Sequence, residues 1–349
     1  MTKDPGPSLA DRLFSALMVD REWSVRESRG FVWWPHRFAQ RVTAGEAFED
    51  GGVAGCRVRV ETDLLALDHS PTPALEATLG DLARHPPMAG VRVDEEGRKV
   101  TLVSSLFIHE ALAPFFVPRL AVAAVLQATY AELGAETLAR ATGFPPAAET
   151  HPTSGARPHP DGLLRLAAER VLPAGDGPSR YADPGELRSS VDELRARGAK
   201  AVARPDGLNA RFPFMASADD PLAPGISSLL EVRAGESHPE LGRGVFLRLF
   251  LPGGSALLAG RPGTSVARRL NELELGDGRF ACQTLGGWTL ESSEPETDLP
   301  VAAGPPRLCH VTFLPNYVHV GGALRNAVLD AGLRALWAAH VFSHRRGVS

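Results

Sequence analysis

The stretch that most restricts the fold is Arg57 to Leu65, where Val58, Val60, Thr62 and Leu64 alternate with Arg57, Arg59, Glu61 and Asp63. A period of two puts successive side chains on opposite faces of a strand. The chain therefore contains a sheet with one apolar face on a core and one charged face toward water. Just upstream, Phe31 to Val42 (FVWWPHRFAQRV) supplies β-propensity and a large apolar area, and Gly30 before it marks a turn. Pro35 has no N–H to give to a ladder, so this segment bulges, ends or lies at a sheet edge there.

The chain has 349 residues, too many for one ordinary core, and its length predicts about two domains. The formal charge of -4 is small, with 15 Lys+Arg against 20 Asp+Glu in residues 1–150 and 22 against 21 in the rest. Neither part has the positive field of a nonspecific nucleic-acid binder. Cys56, Cys282 and Cys309 are too few and too scattered for a disulfide framework or a metal knuckle, and are expected as buried reduced thiols. The N-terminus carries acidic residues and no apolar signal core. The most apolar run, Ala111 to Leu126, is interrupted by Pro114, Pro118 and Arg119 before it could span a bilayer. These features predict a cytoplasmic protein with no membrane association.

In chain order, Ser8 or Asp11 caps a helix to about Val19, and Trp23 to Arg29 is a strand leading into the Phe31 segment. Gly45 to Gly55 is expected as an acidic, glycine-rich hairpin loop, followed by the Arg57 strand. Pro73 then opens a helix to about Arg84. Val91 to Asp94 and Lys99 to His109 form a hairpin, and Pro118 opens a long helix to about Arg140. Residues 1–142 thus form a first α-β-β-β-α-β-β-α unit. Residues 143–184 are a Pro/Gly-rich linker holding a short helix from Asp161 to Val171. Residues 185–349 repeat the order of elements, from the helix at Glu186 to the closing helix from Ala323 to about Ser343. The fold class is α+β, two tandem units of antiparallel sheet packed against helices.

This plan, with the segments GFVWWPHRFAQRV, RVRVETDLL and HPTSGARPHPDGLL, resembles the actinobacterial TY-Chap proteins. That family is named for type III secretion chaperones and YbjN-like proteins. The resemblance implies a non-enzymatic, chaperone-like or adaptor role in which a protein partner is held. It also implies a pseudo-dimer formed within one chain, and leaves a homodimer open. It supplies no catalytic residue. The second unit lacks a Trp-Trp-Pro-His segment, so a partner site would be asymmetric.

Trp33, Trp34, His36, Arg37, Arg57 and Arg59 are the candidate contacts, because Trp and Arg are favoured at binding hot spots. The competing reading is that at least one tryptophan fills the core. His340 and His344 share a helix face, but no HExxH motif or third ligand accompanies them, and a solvated helix end explains them better. No metal or cofactor is expected, since the Gly242–Gly244 and Gly276–Gly278 pairs do not extend to a phosphate-binding loop. An alternative class is an enzyme with a cleft between the units, pairing a His with Glu61 or Asp63 as base and acid. Nucleic acid is not expected as a partner, because the charge is not basic.

Overall fold

Alternation and glycine placement build the first sheet. In this computed structural model, residues 4–50, 52–94, 96–171, 177–214, 227–252, 263–276, 282–291 and 307–344 are described. After helix α1 (Gly6–Ala16) come strands β1 (Ser24–Glu27), β2 (Gly30–Trp33), β3 (Gln40–Asp50) and β4 (Val53–Ala66). Helix α2 (Pro73–Arg84), strands β5 (Gly90–Val93) and β6 (Lys99–His109) and helix α3 (Ala113–Thr142) follow. The six strands are antiparallel in the order β1-β2-β3-β4-β6-β5.

Four strands, not three, precede α2. The expected Gly45 to Gly55 loop is mostly strand: Ala47 pairs with Cys56, and Phe48 with Gly55. A register shift between Ala44 and Ala47 absorbs the irregular stretch, as a bulge does. Phe48 lies over Gly55, where a Cβ would sit 2.8 Å from the ring, and stacks edge-on to Phe107 and His109. The missing side chain makes room for the aromatic ring, so the glycine belongs to the sheet rather than to a loop.

Helix α3 begins one turn before Pro118. Pro114 lies in its first turn, where a missing N–H costs nothing, and Pro118 lies inside the helix. Gly143, at φ +83, ends it, donating its N–H to Ala139 O. Together with the turn before it, this helix is long and apolar enough to cross a membrane. However, 61% of its most apolar window is buried inside the fold, the setting of a core helix. It packs on β4 and β6, with α1 against its flank.

A polar seam runs through this interface. Gln40 Nε2 donates to Thr62 Oγ1 and Ala124 O, Thr62 Oγ1 donates to Gln127 Oε1, and Gln127 Nε2 donates to Ser104 Oγ. Ser104 Oγ in turn donates to Met88 O. All of these side chains are buried. Their bonds fix how α3 is rotated on the sheet, which apolar contacts alone leave loose.

Helix α4 (Gly162–Leu166) and a π-helical turn, Ala167–Val171, follow. The second part of the chain has α5 (Pro184–Ala196), β7 (Lys200–Arg204), β8 (Gly207–Pro213), β9 (Ser227–Arg233), β10 (Ser237–His238) and β11 (Gly242–Phe250). It continues with α6 (Gly263–Gly276), β12 (Gly286–Glu291), β13 (Arg307–Pro315) and α7 (Ala323–His344). The sheet order is β12-β13-β11-β9-β8-β7, with β10 paired to β11. Phe246, Phe250, Phe313 and Trp288 are buried in its core.

Chain contacts define two units, Met1–Pro173 with Arg268–Gly287, and Ala174–Ala267 with Trp288–Ser349. These differ from boundaries at 1–142, 143–184 and 185–349. Residues 143–171 belong with the first unit because bonds from the 145–161 stretch and packing of α4 on α3 tie them to it. The stretch 268–287 joins it from far along the chain, which local composition does not signal. All three cysteines are buried, and burial pushes the Cys56 thiol up to about 11.

Candidate functional site

The Phe31 segment leaves the sheet at Trp34. Gly30, Phe31, Val32 and Trp33 are all buried in β2. Trp34 N still donates to Trp23 O at 2.9 Å, and beyond it the chain turns through Pro35 to Phe38 before β3 begins. The turn exposes main-chain carbonyls that no neighbouring strand takes up. Trp34 O accepts from Arg157 Nη1 at 3.0 Å, Pro35 O from Asp161 N at 2.7 Å, and Arg37 O from Glu149 N at 2.8 Å. One end of the same arm is tied to β4, where Ala147 N donates to Leu64 O and Ala66 N donates to Pro145 O, both at 2.9 Å. The residues expected as a free linker therefore lie along the Trp34–Arg37 turn as an extended strap.

An aromatic slot holds the strap. The His151 ring stands edge-on to Trp34 at 4.7 Å between centroids and to Trp23 at 5.9 Å. Its Nδ1 accepts from Thr153 N and Ser154 N, and reciprocal bonds between His151 and Gly155 close the turn. Gly155 has φ +77, a conformation that glycine adopts without strain. Arg157 lies over Trp23 at 5.5 Å and pairs with Asp20 and Asp161.

The six residues expected as contacts fall in three places. Trp33, at 0% exposed, is a core residue, and Trp34, at 4%, is covered in part by the His151 ring, so neither indole offers an outer contact surface while the arm is in place. His36 and Arg37 face α3: His36 Nδ1 is 2.9 Å from Glu132 Oε1, and Arg37 Nε donates to the same oxygen at 2.7 Å. Arg37 also donates to Glu136 Oε1 and Glu132 O. Burial lowers the Arg37 pKa, but its bonds to Glu132 and Glu136 outweigh this and raise it above the ordinary value. Glu132 and Glu136 lie one helical turn apart, so a single guanidinium spans both.

Arg57 and Arg59 lie on the charged face of β4, which is less open than its alternation predicts. Arg57 is 5% exposed and donates to Ser105 Oγ through Nε and Nη2, with Thr284 Oγ1 and Glu274 O also in reach. A buried guanidinium needs this many acceptors, and here they come from β6 and from the 268–287 stretch. Arg59 and Arg92 both pair with Glu61, and Lys99 and Thr101 with Asp63. The carboxylate beside His36 is therefore Glu132, not Glu61 or Asp63.

Trp34, His36 and Arg37 come together at one turn, whereas Arg57 and Arg59 belong to the sheet face. Sequence reasoning missed Trp23, His151, Arg157, Asp20 and Asp161 as their neighbours. The HPTSGARPHP stretch was the available signal, since two histidines, an arginine, three prolines and a glycine are more chemistry than a plain spacer requires. Among the described residues no three His, Cys, Asp or Glu side chains group to hold a metal ion. In comparison with known proteins, no family model matches the chain, and no curated protein or solved structure matches it.

Proposed function

We propose that the protein is a non-enzymatic, cytoplasmic protein-binding module, an adaptor or chaperone-like holder built from two copies of one α+β plan. The plan's recurrence rests on element order among the described residues: α-β-β-β-β-α-β-β-α from α1 to α3, and again from α5 to α7 apart from the two-residue β10. The strand orders β1-β2-β3-β4-β6-β5 and β7-β8-β9-β11-β13-β12 correspond position for position. Gly30 and Gly207 correspond as well. Each opens the second strand, and a Cβ on either would strike a facing carbonyl, Val42 O at 2.0 Å or Val232 O at 1.9 Å. Divergent side chains on one backbone plan are what a duplication leaves behind. This agrees with the resemblance to TY-Chap proteins and with a pseudo-dimer within one chain.

One observation carries the binding role: the Trp34–Arg37 turn engages an extended stretch of polypeptide through its main-chain carbonyls. Main-chain pairing gives affinity and side-chain slots give selection, the logic of extended-peptide recognition. The test is co-purification from source cells with wild type and with a folded His36→Ala, Arg37→Ala, Arg59→Ala triple variant. Loss of a specific protein from the variant supports the reading. The same proteins with both, or none with either, refutes it.

The alternative, an enzyme acting on a small molecule, draws on the 2.9 Å approach of His36 to Glu132. Turnover of a metabolite by wild type and none by His36→Ala would favour it.

A further inference from the structure

The arm that covers the Trp34–Arg37 turn is attached in an unusual way. From Pro145 to Asp161 it forms neither helix nor strand, only two isolated bridges. Between Phe144 and Leu164 one residue is buried, His151, at 6% exposed. Beyond it, the arm is held by main-chain bonds, the Ser154 Oγ bond to Glu22 O and the Arg157 clamp to Trp34 O, Asp20 and Asp161. A long connection without secondary structure, packed down at a few points, is uncommon unless it has a function. With so little buried apolar contact, it sits at the low-stability end of the fold and opens locally before the sheet does.

The fit is also incomplete. Trp34 Nε1 and His151 Nε2 are buried and find no acceptor among the described residues. An occupant that brought an acceptor into the slot would satisfy a donor that the arm leaves unmet. The arm's features define what such an occupant looks like. It is an extended, proline-containing segment with a planar side chain bearing an acceptor, and an arginine six positions further on.

We propose that residues 145–161 are an internal placeholder: an extended partner segment of this kind binds in the slot between Trp23 and Trp34 by displacing the arm. This rests on the protein-binding reading above and names the segment that site takes. The arm, tethered beside its slot, competes at high effective concentration, so a free segment binds weakly until the anchors are released.

The probe is a fluorescent synthetic peptide with the sequence of residues 145–162, titrated against the full-length chain by anisotropy. The His151→Ala, Arg157→Ala double variant, shown folded by circular dichroism and melting temperature, should bind it at least about tenfold more tightly than wild type does. A control peptide with alanine at both anchor positions should not bind. Equal binding to wild type and variant, or none to the folded variant, overturns the proposal.

If the variant does not fold, hydrogen exchange on wild type decides. Saturating peptide should speed exchange at the Glu149 and Asp161 amides while leaving the β2–β3 amides unchanged, and no change at those two amides overturns the proposal. Failure here together with a co-purifying protein sensitive to the His36, Arg37, Arg59 triple variant defeats the placeholder alone. Loss of that sensitivity defeats the wider reading.

Discussion

Replacing Gln127 with leucine tests whether the polar seam, rather than apolar packing, sets the position of α3. Gln127 is fully buried, accepts from Thr62 Oγ1 at 3.2 Å and donates to Ser104 Oγ at 2.6 Å. Leucine is of similar size, so little cavity is created. The Thr62 hydroxyl, however, loses its acceptor in a dry interface, and an orphaned buried donor costs roughly 1–3 kcal/mol. Ser104 keeps its bond to Met88 O and pays little.

A loss of about 2 kcal/mol should lower the melting temperature of the first unit by roughly 4–8 °C. Thermal melts followed by circular dichroism, with urea unfolding as a check on the slope, measure it. Adding Thr62→Val removes the orphan, because Gln40 still reaches Ala124 O at 2.8 Å. The double variant should therefore be more stable than the two single effects summed. Additivity within about 0.5 kcal/mol would refute the reasoning, since it would mean that the two side chains do not act as a pair. The outcome bears on the site, because the rotation of α3 is what brings Glu132 and Glu136 to Arg37.

Three further outcomes follow from the same geometry. Arg37→Ala should cost about 1 kcal/mol, a modest value for a half-exposed pair, and Arg37→Lys should recover less than half of it, because an ammonium cannot span Glu132 Oε1, Glu132 O and Glu136 Oε1 together. Full recovery in urea unfolding would contradict the spanning role. Cys56 and Cys309, with thiols raised by burial, should resist iodoacetamide in the native protein at pH 8 and react on unfolding, as mass spectrometry of the alkylated chain reads directly. Burial, then the nearby Arg334 charge, holds His310 well below its ordinary value. The unfolded chain therefore binds this proton first, and the second unit should lose stability as pH falls below about 6.5. His310→Gln should flatten that part of a melting-temperature profile from pH 7.5 to 5, and an unchanged slope would count against it.

Periodicity made much of the fold legible. The alternation from Arg57 to Leu65, the apolar breadth of α3 and the proline and glycine punctuation are local signals, and they foretold a sheet packed against helices. Gly55 misled for a local reason too: a glycine under a ring and a glycine in a turn look alike in sequence. The site was half legible, since the Trp33–Arg37 segment stands out by composition, but composition does not say which side chains face inward.

What the sequence determined by itself was the α+β class and most of the helices and strands, though not the extra strand before α2, because propensity and period act over a few residues. Only the tertiary structure decided that the 145–161 arm lies against the Trp34–Arg37 turn, that His151 enters a slot between two indoles, and that Glu132 rather than Glu61 or Asp63 meets His36. Each of these joins residues distant in sequence through main-chain bonds and burial. No local pattern encodes such a meeting, because it depends on where the intervening helix and strands have carried the chain.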